Sequence, residues 1–414
     1  MMMKRLFLAM LALVLSTCSM APAAAQSLTL TNLKQPVAKL CPGVAKVTTI
    51  AAFWAQLAAC GAPAAPPAPA PTPPAPAVVL PTLAQGTFPA WGTGGIPGFY
   101  SPEEGAFRFI CGGDGPLKRD DPVVYPGKPG AAHLHQAWGA RQFDADLTTE
   151  RLLASAPSNC NDTLFSLNRS SYWQPALIHD SGTVVRPDMV LVYYKRHRST
   201  SPFCTPGNAR FGATCAPLPK GLKFITGWDQ FNPTAPIRGA SWYCTGVDGH
   251  FRDLDAIFAA GCKPGADLLA NTVGPNCWDG KNTDSADHRR HLAWPADGGC
   301  PKTHPFIIPQ QENKVSFRVT ADMIGADGKS RVSLSSDHML PGGKPGQTLH
   351  SDYMEAWVDA ARDAWHAGCI EGGLDCSGGD LGDGRMLHGA REPSYGWLHP
   401  NPRVALPVVD HGTH

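Results

Sequence analysis

Residues 314–320 read KVSFRVT, and this alternating stretch decides the fold class. Val315, Phe317 and Val319 fall on one side of an extended chain, and the residues between them are polar or charged. Such period-two alternation is typical of an antiparallel strand with one buried and one solvated face. Similar short runs recur between turns at 184–185, 189–195, 222–226 and 331–335. We therefore predict a mainly β fold, an antiparallel sandwich or jelly-roll-like domain with long loops and a few helices.

The composition agrees with a loop-rich β domain. The 414 residues include 43 Gly and 40 Pro, and only 17% of them are charged. The formal net charge is +1, with no long basic or acidic block, which argues against nucleic acid or anionic lipid as a partner. No segment after the N-terminus is apolar and long enough to span a membrane.

One helix is predicted near the C-terminal end. Asp352 and Glu355 have the spacing of a capping box, and Gly368 is a helix-ending residue. The apolar residues between them recur on one helical face: Met354, Trp357, Val358, Ala361 and Trp365. We expect a helix over 353–366, with Asp352 as its N-cap, packed beside the β scaffold.

The first 25 residues are interpreted as a signal peptide. Lys4 and Arg5 give a positive start, 6–15 is a short apolar run, and three alanines at 23–25 offer a cleavage site. A lipoprotein signal ending at Cys18 is the alternative, although the residue before that cysteine fits poorly. Either signal predicts a secreted or periplasmic protein.

Three segments follow the signal peptide. Residues 26–60 form a predicted small helical module, and 61–81 an Ala/Pro-rich, semi-rigid linker. Residues 82–414 form the main domain, long enough for one large core. The module either anchors the protein or is a dispensable stub.

The cysteines predict a disulfide framework. Of 13 cysteines, 12 remain when Cys18 leaves with the signal peptide, and none has the CxxC spacing of a metal site. We expect Cys41 and Cys60, which bracket a helix-compatible stretch, to pair with each other. Among the other ten, proximity in the sequence favours Cys204–Cys215, Cys244–Cys262, Cys277–Cys300 and Cys369–Cys376, which leaves Cys111–Cys160.

The first candidate site segment runs from Asp120 and Asp121 to His133-Leu134-His135. If 133–135 is a strand, both imidazoles point to one face, as a metal site or an acid–base pair requires. Two surface histidines hydrogen-bonded to a loop are the structural alternative. Asp121, His133 and His135 are therefore candidate catalytic residues, and the two histidines are candidate metal ligands.

The second segment, 277–291, gathers aromatic, acidic, amide and imidazole groups beside a predicted disulfide. His288 and His291 are three apart and would share one face of a helical turn. With His133 and His135 they are candidate ligands of a divalent metal ion. The segment's other candidates are catalytic Asp284, Asp287 and His288, and substrate-binding Trp278, Lys281 and Asn282.

Two further histidines are candidate substrate-binding residues. Prolines 301 and 305 would hold His304 in a fixed loop, and capping does not explain His350. We expect His133 and His135 to share a cleft with Asp287, His288 and His291, with His304 and His350 at its rim. A hydrogen-bonded network that only braces long loops is the alternative.

At these motifs the chain resembles the secreted domain-of-unknown-function family numbered nineteen ninety-six, which occurs in filamentous fungi and bacteria. The resemblance spans roughly 107–369, and its motifs lie at 121–135, 171–175, 192–195, 219–222, 277–291, 300–305 and 350–357. Family members usually carry Ser where this chain has Ala131-Ala132, and Asn-Gly where it has Glu355-Ala356. The resemblance implies secretion and a polysaccharide context, and it supplies no established reaction.

The leading hypothesis is a carbohydrate-active enzyme that cleaves an extracellular polysaccharide or cell-wall glycan. Asp120 or Asp121 could act with Asp284 or Asp287 as acid and base in a hydrolase. A lyase would use a histidine and a tyrosine, with a cation that neutralises a uronate. The number of histidines favours the lyase or a metal-assisted mechanism. The tryptophans that could stack on sugars are Trp138, Trp173, Trp242 and Trp278.

Two alternatives stay open. The first is a non-catalytic secreted protein that binds polysaccharide or cell wall through its loops. The second is a histidine-ligated copper or zinc enzyme. A copper polysaccharide monooxygenase would need an N-terminal histidine, whereas Gln26 is the predicted first residue of the mature chain.

Overall fold

The structure is a computed structural model that describes residues 46–49, 52, 55–56, 80–90, 103–154, 157–160, 166–206, 213–296, 299–388 and 403–407. The chain divides into two units, Met1–Ala77 and Val78–His414. The predicted signal peptide, most of the small module, almost all of the linker and the pair Cys41–Cys60 lie outside the described residues.

The second unit is built mainly of short strands. The strands are β1 (Thr87–Pro89), β2 (Glu104–Gly112), β3 (Leu117–Lys118), β4 (His135–Gly139), β5 (Ser171–Pro175), β6 (Leu177–His179), β7 (Thr183–Val185), β8 (Met189–His197), β9 (Thr214–Cys215), β10 (Lys223–Gly227), β11 (Ala240–Cys244), β12 (Val247–Phe251), β13 (Asp267–Val273), β14 (Cys277–Trp278), β15 (Leu292–Ala293), β16 (Phe306–Ile307), β17 (Gln310–Arg318), β18 (Val332–Leu334), β19 (His350–Met354), β20 (Asp375–Cys376), β21 (Arg385–Leu387) and β22 (Val404–Ala405).

The helices of this unit, within the described residues, are few and short. The α-helices are α1 (Leu83–Gly86), α2 (Thr149–Ala154), α3 (Leu254–Ala259) and α4 (Asp359–Trp365). Three single-turn 3₁₀ helices, Pro202–Cys204, Ala321–Met323 and Asp337–Met339, and one π-helix, His366–Glu371, complete the set. Across the described part of the chain, none of the helices is long and apolar enough to cross a membrane.

Two large sheets pack face to face. The seven-stranded sheet has the order β12-β11-β13-β17-β8-β2-β20, and the five-stranded sheet has the order β10-β19-β5-β4-β3. Neighbours in both sheets are antiparallel, except that β2 and β20 are parallel. Tyr172 and Tyr353 from the smaller sheet and Val192 and Phe317 from the larger one belong to a single buried core. The predicted mainly β, antiparallel, disulfide-stabilised fold is confirmed.

The KVSFRVT stretch explains how the larger sheet is buried. Val315 and Phe317 are buried (0% and 1% exposed), whereas Lys314 and Arg318 remain partly exposed. β17 lies between β13 and β8, so its apolar side chains are flanked by strands on both sides. The alternation therefore sets which face of this sheet meets the core.

Three tyrosines tie the two sheets together at the centre of the core. The Tyr194 hydroxyl on β8 lies 2.7 Å from the Tyr172 hydroxyl and 3.0 Å from the Tyr353 hydroxyl. Trp357 also donates its indole N–H to Tyr194, at 3.3 Å. A polar chain in the middle of an apolar core is stable only because each hydroxyl has a partner.

Five disulfides are formed, and all five match the pairs predicted from sequence proximity. They are Cys111–Cys160, Cys204–Cys215, Cys244–Cys262, Cys277–Cys300 and Cys369–Cys376. Each closes a loop of 49 residues or fewer. Such a framework fits a protein that folds outside the cytoplasm.

The predicted helix over 353–366 is wrong in its first half. Residues 350–354 form strand β19, and α4 begins only at Asp359, after Val358. Asp352 is therefore not a helix N-cap but a strand residue, and it is 1% exposed. All five residues of β19 are buried because both faces of the five-stranded sheet are covered, which removes the period-two signal.

Candidate functional site

The outer face of the five-stranded sheet, opposite the sandwich core, carries the candidate site. Tyr353 on β19 points into the sandwich, so Asp352 and Met354 point outward by the alternation of a strand. Asp352 lies opposite Trp173 on β5 and Ile225 on β10 in the strand register. Met354, Trp173 and Ile225 form a second apolar cluster on this face.

Three histidines converge on this outer face. His350 precedes Asp352 by two residues on β19, and His135 opens β4, with β5 between the two strands. His133 lies just before β4. The ring centroids are 4.1 Å apart for His133 and His135, 5.1 Å for His133 and His350, and 6.3 Å for His135 and His350. The sheet order thus assembles imidazoles from distant parts of the chain.

Hydrogen bonds fix the tautomer of all three rings. His135 donates its Nδ1–H to the Asp120 carbonyl at 2.9 Å, and His350 donates its Nδ1–H to the Thr348 carbonyl at 2.7 Å. Ser335 donates its hydroxyl proton to the Leu134 carbonyl at 2.5 Å.

The same serine determines the tautomer of His133. Because the Ser335 proton is committed to Leu134, its Oγ accepts the His133 Nδ1–H at 3.0 Å. Each of the three imidazoles therefore keeps its lone pair on Nε2.

These Nε2 lone pairs point at one another. The Nε2 atoms of His133 and His350 are 3.2 Å apart, and neither carries a proton to share. His135 Nε2 is buried and has no hydrogen-bond partner among the described residues. One ligand nitrogen from each ring can be chosen so that all three lie within 4.8 Å of one another.

Two buried carboxylates adjoin the histidines. Asp121, Asp352 and His135 form a second group whose ligand atoms lie within 4.8 Å of one another. Asp121 Oδ1 accepts the backbone N–H groups of Val123 and Val124, at 3.0 Å and 2.9 Å. Both oxygens of Asp352 lack a hydrogen-bond partner in the part of the chain that the structure describes. Buried carboxylate oxygens are normally paired, so Asp352 is the anomaly of the site.

Burial shifts the pKa of every group in the cluster in the direction that favours its neutral form. It lowers the pKa of His135 to about 4 and of His350 to about 3, and it holds the pKa of His133 well below its usual value. Burial raises the pKa of Asp121 to about 6. For Asp352, burial first and then the neighbouring Asp121 raise the pKa well above its usual value. At neutral pH the three imidazoles are uncharged, as metal ligands must be.

The residue types and spacing fit a divalent transition metal. Two imidazole nitrogens bound to one tetrahedral zinc ion at about 2.0–2.1 Å lie roughly 3.3 Å apart, close to the 3.2 Å between His133 and His350. Metal-bound histidines usually donate their other N–H to a carbonyl or similar group, as all three do here. His133, His135 and His350 would hold the ion, and Asp121 and Asp352 adjoin it in a second group that shares only His135.

A pocket opens beside this cluster. It is a narrow depression lined by Asp121, His133, His350, Asp352, Trp228, Phe231 and Arg289, among others. Trp228 is 2% exposed, with its ring 6.0 Å from that of His350. Phe231 is 66% exposed at the pocket, which is unusual for a large apolar side chain in this structure. A ligand in this pocket would reach the histidines from the solvent side.

The segment 277–291 forms a hydrogen-bonded loop beside the cluster. Arg289 lines the pocket, and His288 acts against burial to lower the pKa of Asp121, but among the described residues neither His288 nor His291 belongs to a group of close ligand atoms. His288 Nδ1 lies 2.8 Å from Asp284 Oδ1, and Ser285 Oγ bridges His291 Nδ1 at 2.9 Å and Asp287 Oδ1 at 2.8 Å. This loop touches the site through its backbone, because Ile225 donates its N–H to the His288 carbonyl at 3.0 Å.

Other predicted site residues are also placed apart from the histidine cluster. In this loop, the Trp278 indole donates to the Asn282 carbonyl at 2.6 Å, and the Lys281 backbone N–H donates to Asp279 at 2.8 Å. His304 Nε2 lies 2.9 Å from the Arg290 carbonyl. Trp173 is fully buried against Phe143, so its indole fills the core of this face. Trp138 and Trp242 are buried as well.

Sequence reasoning missed several residues of the site. Asp352 was explained by capping, and His350 was expected only at the rim, although it lies at the centre of the cluster. Ser335, Trp228 and Arg289 carried no signal, since their roles depend on strand order. The proximity of His350 and Asp352 at i and i+2 was the available clue, because it places both on one face of a strand.

The comparisons with known proteins identify one family. A family model described as domain of unknown function (DUF1996) matches residues 121–357, which is more than half of the chain. The match contains the three histidines and both carboxylates of the cluster. No curated protein and no solved structure matches the chain.

Proposed function

We propose that this chain, which belongs to the DUF1996 family, is a metal-dependent enzyme that cleaves an extracellular polysaccharide by hydrolysis or elimination. One observation carries the metal dependence of this proposal: His133 and His350 hold two unprotonated Nε2 atoms 3.2 Å apart in a buried cluster. Two lone pairs at that distance repel, and a shared cation turns the repulsion into ligation.

The alternative of a purely structural histidine network fits the contacts poorly. A bracing network would place a donor opposite each acceptor, because buried unpaired polar atoms are costly. Here His135 Nε2 and both Asp352 oxygens are buried without a partner in the described chain. An ion held by the three histidines would satisfy His135 Nε2 and would lie beside Asp352, because His135 belongs to both groups of close ligand atoms.

Each residue of the cluster has a definable task in this enzyme. His133, His135 and His350 bind the ion, and Asp120, Thr348 and Ser335 orient their rings through the Nδ1–H bonds. A bound divalent ion supplies Lewis acidity and lowers the pKa of a coordinated water. Asp352, whose oxygens have no hydrogen-bond partner among the described residues, exchanges a proton with the substrate beside the ion.

The pocket supports a sugar as the substrate. Exposed Phe231 and partly exposed Gln230 are among its lining residues, and a ring face and an amide suit a pyranose. The polysaccharide context that the family resemblance implies agrees with this chemistry.

A two-carboxylate glycosidase is a weaker proposal. Asp284 is paired with His288, and Asp287 Oδ1 accepts from Ser285 and from the N–H groups of Arg289 and Arg290. These bonds hold both aspartates in their own loop. The predicted pairing of Asp120 or Asp121 with either of them therefore gains no support from the geometry.

The test combines a polysaccharide panel with control of the metal. Purified protein would be stripped with a chelator, reloaded with Zn²⁺, Mn²⁺ or Cu²⁺, and incubated with neutral and acidic polysaccharides before product masses are measured. Products that contain added water indicate hydrolysis, and unsaturated products indicate elimination. His135→Ala should abolish turnover, whereas His250→Ala, at an exposed histidine bonded to Ser241, should retain it.

Two results would contradict the proposal. Cleavage that survives chelation and the His135→Ala substitution would exclude the cluster as the active site. Binding of polysaccharide with no turnover under any metal would leave the non-catalytic binding protein as the function.

A further inference from the structure

A second, larger pocket lies beside the candidate metal site. It encloses about 670 Å³, counting the space open to solvent, and it shares Ile225, Asp229 and Arg289 with the first pocket. Its wall carries two more arginines, Arg238 and Arg290. The shared residues form a common wall between the first pocket and this larger depression.

The charges of this depression are not fully compensated. Arg238 is exposed and makes no ion pair within the described part of the chain. Arg290 has a side chain that is 69% exposed, and its nearest carboxylate oxygen, on Asp287, is 3.7 Å away. Asp287 is already engaged, since its Oδ1 accepts three other hydrogen bonds. Two guanidinium groups are therefore available to an anion from solvent.

Arg289 links the depression to the histidine cluster. Its Nη2 donates to the Trp228 carbonyl at 2.9 Å, and its Nε is 3.8 Å from Asp229. These contacts fix the guanidinium between the two pockets. An anionic ligand that reaches Arg289 thus lies next to the site that holds His350 and Asp352.

An apolar surface accompanies the arginines. Trp294 lines the same pocket and packs on Gly239, which has a φ of 71°. A Cβ at Gly239 would lie 2.7 Å from Cζ2 of Trp294, so only glycine lets the indole lie against this turn. An indole flanked by guanidinium groups is suited to a ligand with a ring face and a carboxylate.

We infer that this arginine groove, defined by Arg238, Arg289, Arg290 and Trp294, binds the uronate units of an acidic polysaccharide. The inference rests on the proposed polysaccharide-cleaving function and names its substrate class. Planar guanidinium groups pair with planar carboxylates through two parallel hydrogen bonds, which neutral sugars cannot offer. A chain bound in the groove lies beside the pocket at the histidines, with Arg289 in the wall of both.

The experiment measures binding separately from cleavage. Chelator-treated protein is titrated with oligogalacturonate, alginate and hyaluronan oligomers and with fully methyl-esterified oligogalacturonate, using calorimetry. The ester keeps the sugar backbone and removes the charge. Arg238→Ala and Arg290→Ala are compared with Arg331→Ala, an exposed arginine paired with Asp180 away from the groove. A sulfated oligomer tests whether any polyanion suffices.

At least one uronate oligomer should bind, and its ester should bind at least roughly tenfold more weakly, because charge-assisted hydrogen bonds are lost. Each groove variant should weaken binding by a similar factor, and Arg331→Ala should not. Equal binding of acid and ester, unchanged groove variants, or no binding to any uronate oligomer would overturn the inference. Stronger binding of the sulfated oligomer would overturn its carboxylate specificity.

The outcome also separates this inference from the proposed function. Uronate binding that persists in His135→Ala, with turnover absent under every metal, would support the groove and refute the enzyme. Metal-dependent cleavage of a neutral polysaccharide, with no uronate binding, would do the opposite.

Discussion

The Nε2 atoms of His133 and His350 face each other at 3.2 Å, although 217 residues separate the two histidines in the chain. Both rings donate their Nδ1–H to other groups, so no proton lies between the facing nitrogens. The contact is therefore unfavourable in the metal-free protein and favourable around a cation.

Metal binding should raise the thermal stability of the protein. A ligand present at a hundred times its Kd stabilises the folded state by roughly 2.7 kcal/mol. Zn²⁺ should raise the Tm of chelator-treated protein, and His350→Ala should abolish the rise. His250→Ala serves as the matched control. An equal rise in both variants would place the ion elsewhere.

Ser335 should act as a positioning residue for His133. Ser335→Ala removes the acceptor of the His133 Nδ1–H, so the ring can rotate or change tautomer. Loss of such an outer partner typically weakens metal binding 10–100-fold. Competition with a chromogenic chelator would measure this loss. Ser333→Ala, in strand β18 two residues before Ser335, should keep full affinity, and a loss in both would indicate a general disturbance of this segment.

Tyr194→Phe should destabilise the sandwich without affecting metal binding. It removes the hydroxyl that contacts Tyr172, Tyr353 and Trp357, leaving buried polar groups without partners. The expected loss is about 2 kcal/mol of unfolding free energy. Urea denaturation would measure the loss, and metal stoichiometry should stay unchanged. A stability equal to the parent's would show that the tyrosine chain contributes nothing.

Stability should fall as the pH rises from about 4.5 to 7 because of Glu355. Burial is the main reason that the pKa of this carboxyl is raised from 4.5 to about 7. Between these values the folded protein holds a proton that the unfolded chain has released. The contribution of the protonated Glu355 carboxyl to the free energy of unfolding is therefore complete below pH 4.5 and lost by pH 7. This change is on the order of 3 kcal/mol.

Glu355→Gln tests this slope directly. Glutamine cannot ionise, so the dependence of unfolding free energy on pH in this window should become shallower. Glu150→Gln, at an exposed carboxyl with a lowered pKa, should leave the slope as in the parent. The same slope in parent and Glu355→Gln would mean that other groups account for it.

The sequence predicts local features of this fold well. The alternation at 314–320 identifies β17, and the proximity of cysteines identifies all five described disulfides. The helix over 353–366 fails in its first half because β19 is buried on both faces and shows no alternation. An apolar run of this kind fits a helix and a central strand equally well.

The candidate site is harder to predict because it depends on strand order. His133 and His135 are recognisable from their own spacing, but their neighbours come from β19, two strands away in the sheet. His288 and His291 resemble ligands in sequence, yet they are held by Asp284 and Ser285 in their own loop. The residue types suggested metal ligation, but which histidines lie together depends on the non-sequential order of the strands in the sheet.

That same strand order has a consequence for how the protein matures. The ligand set does not exist until β4, β5 and β19 have paired, and these pairings join distant parts of the chain. Contacts of such high sequence separation are slow to form. An ion that binds as we propose would therefore load into a finished sheet, in contrast to small zinc domains that fold around their metal. Under the proposal, the metal content of the protein would be decided by the ions it meets after folding.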